Sequence, residues 1–165
     1  MNTSEHDPKS LKVFLVLAFL WGIFGLVLTG YAETPATPPL APPGFDNQIP
    51  WQKATQAVIE KQDEAALLGI LQVGDGHLDG YFSTNYTHYL QEIALKQTEM
   101  FLRVAAQHHR NDWRAALRYL VNENQGLPPS LERALLQIPK KSAQHALAQA
   151  ALKAARSEAK KLGKE

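Results

Sequence analysis

Asp75, His77 and Asp79, within the stretch DGHLDG, are the residues whose types and spacing come nearest to a ligand set. Alternate acidic side chains closed by Gly80 follow the D-x-[DN]-x-[DN]-G opening of a calcium loop, where oxygens wrap a hard cation and glycine makes the turn. The pattern breaks in two places. His77 offers an imidazole where an oxygen is wanted, and Tyr86 stands at the twelfth position in place of a bidentate Glu. Asp and Gly also satisfy the backbone needs of a tight turn. Asp75, His77 and Asp79 are therefore metal candidates against the competing expectation of a simple turn, and no metal site is assigned.

Other polar groups carry less. His108 and His109 fall at an expected helix end, before Arg110 and Asp112. Neighbours on a helix point about 100° apart, which sets the two rings away from a shared ion, and a helix C-terminus attracts cations without any further role. Glu92 and Glu99 lie four residues before Lys96 and Arg103 and read as solvated ion pairs. The chain has no G-x-S-x-G, HExxH or phosphate-loop pattern. The absence of cysteine excludes disulfides, thiol catalysis and lipidation through Cys. No catalytic residue and no cofactor are assigned, and a binding module is expected rather than an enzyme.

Contact chemistry is better represented. Tyr81, Phe82, Tyr86 and Tyr89, with His88, form an aromatic cluster just after the loop, suited to core packing or to a protein-contact patch. Lys153, Arg156, Lys160 and Lys161 crowd the end of the chain, on an alanine-rich stretch. Such a face is either solvated or meets an acidic partner or anionic lipid headgroups. Nucleic acid is not expected there, because aromatics are absent and the topology described next places the tail outside the cytoplasm.

Location follows from residues 13 to 32, VFLVLAFLWGIFGLVLTGYA, which carry no charge. As a helix this run reaches about 30 Å, the thickness of a bilayer core. Lys9 and Lys12 precede it and the next basic residue is Lys53, so the positive-inside rule puts the N-terminus in the cytoplasm. A single-pass anchor is expected. The alternative is a secretory signal peptide cleaved after Ala32, with Gly30 and Ala32 as the small residues of the cleavage site. Both place the remainder in the periplasm or another extracytoplasmic space. An anchored protein would serve as an accessory or scaffold subunit of a cell-envelope assembly. A cleaved one would be a periplasmic or secreted small helical enzyme or metal-binding protein.

Five segments follow: a polar cytoplasmic tail at 1–12, the span at 13–32, a Pro-rich linker at 33–50, a helical domain at 51–139 and a basic Ala-rich helix at 140–165. The linker holds six of the chain's ten prolines and, extended as polyproline II at ~3.1 Å per residue, would reach some 50 Å. Residues 33–139 carry 8 Lys and Arg against 12 Asp and Glu, while 140–165 carry 7 against 2. An acidic body with a basic tail is expected.

The fold class is all-α, a helical bundle or a stack of helical hairpins. Trp51, Ala54 and Val58 open a helix after Pro50. Asp63 caps a second, expected to bury Leu67, Leu68 and Leu71 and to end at Gly74. Asn85 or Thr84 caps a long stretch with Leu90, Ile93, Ala94, Phe101, Val104 and Ala105 on one face, either continuous or restarting at Thr98. Asp112 caps WRAALRYLVNEN, ended by Gly126, and Ser130 caps LERALLQI, ended by Pro139. The last helix runs from Ser142 to Leu162 and packs by alanines.

Residues 54–106 have a repeat-like rhythm. AVIEKQDEAALLGILQVGDG reads as a helix pair entering a hairpin loop, and NYTHYLQEIALKQTEMFLRVAA as a second pair, with Thr87, Leu90, Ala94 and Glu99 near repeat positions. The stretch resembles ankyrin repeats, although the T-P-L-H-x-A core is replaced at His88, Tyr89 and Leu90 and fewer than three repeats are present. The resemblance implies a helix-turn-helix stack that binds protein.

Overall fold

The computed structural model describes residues 39–121 and 126–162. The expected cytoplasmic tail, the hydrophobic run at 13–32 and the first part of the linker lie outside them. No helix among the described residues is long and apolar enough to cross a membrane. Among the described residues every regular element longer than a single bridge is helical. A short 3-10 turn at Phe45–Asn47 leads into α1 (Gln48–Lys61), followed by α2 (Glu64–Asp75), α3 (Gly80–Lys96), α4 (Thr98–His108), α5 (Trp113–Leu117), α6 (Pro129–Leu136) and α7 (His145–Leu162).

The folded unit starts at Pro39, inside the stretch expected to be linker. Leu40 packs on the core and Pro43 is buried. Prolines leave carbonyls without helical partners, and side chains from the domain take them up. Trp51 Nε1 donates to Ala41 O at 2.8 Å, Asn47 Nδ2 to Pro42 O at 2.6 Å, and Asn85 Nδ2 to Pro43 O at 3.5 Å. Residues 39–50 thus belong to the domain and not to an extended spacer.

α1 begins at Gln48, three residues ahead of the expected Trp51, with Pro50 in a first turn whose amides need no helical acceptor. It ends where Gln62 adopts a left-handed φ of 54°, and the next residue, Asp63, caps α2 by accepting from Ala66 N at 3.0 Å. α2 continues past Gly74 to Asp75. The third helix starts at Gly80 and not at Thr84 or Asn85. Asp79 O accepts from Phe82 N and Ser83 N, while the Thr84 hydroxyl turns back onto Gly80 O at 3.1 Å.

The choice between one helix and two across residues 85–109 resolves into two. Gln97 leaves helical geometry at φ −130°, its side-chain Nε2 donates to Ile59 O at 2.6 Å, and the Thr98 hydroxyl donates to Ala94 O at 2.8 Å. A tertiary bond to α1 and a side chain competing for a helical carbonyl together break the run. α5 stops at Leu117, well short of the expected end at Gly126, and the chain tightens so that Leu117 O accepts from both Leu120 N and Val121 N. α6 starts at Pro129 and not at Ser130, because proline suits a first helical position. α7 starts at His145; Ser142 holds the turn before it, accepting at Oγ from Gln144 N at 3.2 Å.

The core runs through all seven helices. Trp51 sits edge-on to Tyr86 with ring centroids 5.9 Å apart and lies against Tyr89 at 5.3 Å. Around it are Val58, Leu67, Ile70, Leu90, Ile93, Phe101 and Leu102, all essentially without solvent contact. Burial of each such side chain is worth ~1.5–3 kcal/mol. α7 joins the same core through Ala148, Ala151, Leu152 and Ala155, one face at i, i+3, i+4 and i+7. Small side chains there let α7 approach α5 and α6 closely.

Candidate functional site

Of the four aromatic candidates, two are exposed. Tyr81 and Phe82 open α3 and are 41% and 42% exposed. Phe45, from the 3-10 turn, stacks on Tyr81 with centroids 4.6 Å apart and planes at 18°, and Tyr81 meets Phe82 edge-on at 5.9 Å. Phe45 is 76% exposed, and Ile49, one turn on, 64%. A Cβ on Gly44 would stand 3.3 Å from Phe82 Cε1, so the chain entering the domain lies against that ring. Together these residues make an aromatic ledge. Asp46 and Asp79 flank it in sequence, and both are exposed.

Tyr86 and Tyr89 do not belong to this surface as expected. Tyr86 is buried at 1% exposure, packed edge-on to Tyr119 at 4.9 Å, and burial pushes its phenol well above the ordinary range, with Tyr119 and Asp75 adding to the shift. Tyr89 is half-buried against Trp51, with exposed His88 edge-on to it. Phe45 and Ile49 were hidden from sequence reasoning by their place in the apparent linker. The nearest signal was an apolar residue on each side of the Asp46-Asn47 turn.

The 75–79 loop is organised by Tyr119, whose hydroxyl donates to Gly76 O at 3.1 Å and accepts from Leu78 N at 3.2 Å. His77 and Asp79 are exposed and do not come together with Asp75 as ligands. Asp75 instead turns toward the end of α4. His108 Nε2 donates to Asp75 Oδ2 at 2.7 Å, and His109 Nδ1 stands 3.6 Å from Oδ1. The expectation that the two histidines diverge fails because α4 ends at His108. His109 caps it at φ −90°, ψ 10°, and Arg110 and Asn111 follow with left-handed φ of 51° and 64°. The two rings end 4.6 Å apart. Burial, with His108 next, pushes the His109 imidazole below its ordinary range, against opposing pulls from Asp75 and Asp112.

Some of the other charged side chains are paired. Glu92 and Lys96 form the expected ion pair at 2.9 Å. Arg103 does not meet Glu99. It reaches Glu64 across the α2–α4 contact at 2.6 Å, and Glu99 accepts from the Ser142 hydroxyl at 3.1 Å. This leaves the hollow lined by Glu64, Lys96, Glu99 and Arg103 with its charges engaged.

On α7, Lys153, Arg156, Lys160 and Lys161 are all exposed. Arg156 pairs with Glu132 of α6 at 2.9 Å and Lys161 with Glu158 at 3.6 Å, while Lys153 and Lys160 make no ion pair among the described residues. Half of the expected basic face is thus engaged, at the surface, by the protein's own carboxylates. Comparison with family models, with curated proteins and with solved structures returns no match to this chain.

Proposed function

We propose that the chain is a non-enzymatic protein-interaction module, anchored by residues 13–32 to a cell membrane with its helical domain on the periplasmic face, and serving as an accessory or scaffold subunit of an envelope assembly. The observation that carries the contact role is the ledge of Phe45, Tyr81 and Phe82, three aromatic side chains that meet one another and stay open to solvent, with exposed Ile49 four residues after Phe45 in sequence. Contiguous apolar surface rimmed by polar residues is how contact sites announce themselves, and rigid aromatic rings are favoured anchors because few rotamers are lost on binding. Asp46 and Asp79 beside it disfavour anionic headgroups and favour a partner offering apolar side chains with basic neighbours. The ankyrin-like rhythm of residues 54–106 points the same way.

The anchor rests on sequence: an uncharged 20-residue run and basic residues on one side of it. Lys153 and Lys160 remain available to an acidic partner surface or to anionic lipid headgroups. The second reading, a protein released by cleavage after Ala32, differs in intact mass, since cleavage leaves Glu33 as the first residue.

Co-purification from solubilised membranes tests the contact role. Phe45→Ser with Tyr81→Ser removes apolar surface that is already exposed, so the fold should stand while recovery of the partner falls at least tenfold, the equivalent of ~1.4 kcal/mol. Lys153→Glu with Lys160→Glu should have a smaller effect. Undiminished recovery with the Phe45/Tyr81 variant would remove the ledge from the account.

A further inference from the structure

We propose that Asp75, His108 and His109 form a zinc-binding site where the C-terminal ends of α2 and α4 meet. Their three ligand atoms all lie within 4.8 Å of one another. Two imidazole nitrogens and a carboxylate oxygen are a borderline donor set that suits zinc and other late divalent transition ions, and is wrong for calcium and magnesium, which take oxygens. A tetrahedral ion with bonds of 2.0–2.1 Å wants its ligands about 3.3 Å apart. The carboxylate stands 2.7 Å from His108 Nε2 and 3.6 Å from His109 Nδ1, on either side of that value. Asp75, the exposed member of the three, is the side chain that would adjust toward that value.

The burial pattern fits as well. The two histidine side chains are only 17% and 10% exposed, which fixes their rings, whereas Asp75 is 46% exposed. An ion held there keeps its remaining position toward solvent for a water, the arrangement of three-ligand sites. A hydrogen bond that merely ties α2 to α4 would account for His108 alone. It leaves unexplained a second, nearly buried imidazole facing the other oxygen of the same carboxylate.

That second ring is held by a turn with two consecutive left-handed non-glycine residues, a conformation that costs Arg110 roughly 1–2 kcal/mol and that Asn111 tolerates better. Asn111 N donates to Ala106 O at 2.8 Å and Asp112 N to His109 O at 2.8 Å, closing the turn around His109. The sequence motif at Asp75, His77 and Asp79 thus contributes one ligand, and the other two come from 33 and 34 residues further along the chain.

The test uses the full, untagged chain stripped of metal by a chelator and titrated with zinc chloride, with calcium chloride and magnesium chloride as controls. Calorimetry should give one zinc per chain and no heat from calcium or magnesium. The unfolding midpoint should rise with zinc by on the order of 5–10 °C at a hundredfold excess over the dissociation constant. Asp75→Asn and His108→Gln, both at partly exposed positions, should weaken zinc binding tenfold or more while circular dichroism stays unchanged, and His77→Gln with Asp79→Asn should leave it unaltered. No zinc uptake by the wild-type chain would overturn the proposal. So would uptake that survives Asp75→Asn and His108→Gln, or that is lost in the His77/Asp79 variant.

Discussion

At Gly74 the backbone of α2 lies so close to the phenol of Tyr86 that an added Cβ would stand 2.7 Å from the ring carbon Cζ and overlap the hydroxyl. From sequence Gly74 marks a helix end, because glycine commonly stops helices. Its actual service is room for a buried ring, and the helix continues through it to Asp75. Alanine is the better helix former by ~1 kcal/mol, so propensity alone makes Gly74→Ala stabilising. Overpacking against a ring without solvent contact should outweigh that gain, and the substitution should lower stability by ~1–3 kcal/mol in urea unfolding. Equal or greater stability would show that Tyr86 can move aside. Tyr86 also shows where the reading of the contact patch goes astray: it stands four residues before Leu90 and seven before Ile93, on the apolar face of the same helix, and that spacing, once the helix is known to start at Gly80, turns it inward.

Among the elements, what could be read early is what neighbouring residues decide. The Asp63 cap, the apolar faces of α4 and α6, and the alanine face of α7 all follow from spacing within a few turns, whereas on α2 Leu67 and Leu71 are buried as expected but Leu68 is exposed and Ile70 takes its place in the core. What could not be read is set by partners far along the chain. The break at Gln97 depends on Ile59 O, the loop after α2 on the Tyr119 hydroxyl, and the docking of residues 41–43 on Trp51, Asn47 and Asn85. The histidine pair at the end of α4 belongs to the same class, since its geometry turns on where the helix stops. Asp63 offers the test at this scale. Its carboxylate satisfies an amide that the start of α2 would otherwise leave unpaired, so Asp63→Ala should cost about 1 kcal/mol, within the 0.5–2 kcal/mol found for lost caps. The measurement is the shift in urea midpoint at unchanged slope. A change in slope would mean that α2 unfolds separately instead.

On the scale of the whole molecule, the acidic body and basic tail expected from composition are parts of one folded unit. Arg156 of α7 pairs with Glu132 of α6, and Arg114 of α5 approaches Glu158 of α7 at 3.5 Å, so part of the tail's charge is spent on intramolecular pairs worth little each at an exposed surface. This shifts the expected binding role from the basic helix to the aromatic ledge, which has no such internal partner beyond its own rings. The proline-rich stretch, too, changes meaning: its later half builds the ledge by bringing Phe45 onto Tyr81.

The most direct measurement of the central claim, that this ledge seats a protein partner, is photocrosslinking in intact cells with a photoreactive residue placed at Phe45 or Tyr81 of the full chain, and at the exposed Lys140 as a remote control. The account predicts one discrete crosslinked protein band from each ledge position, none from Lys140, and its disappearance when Phe82→Ser is added. Crosslinks confined to lipid, or bands of equal strength from Lys140, would contradict it.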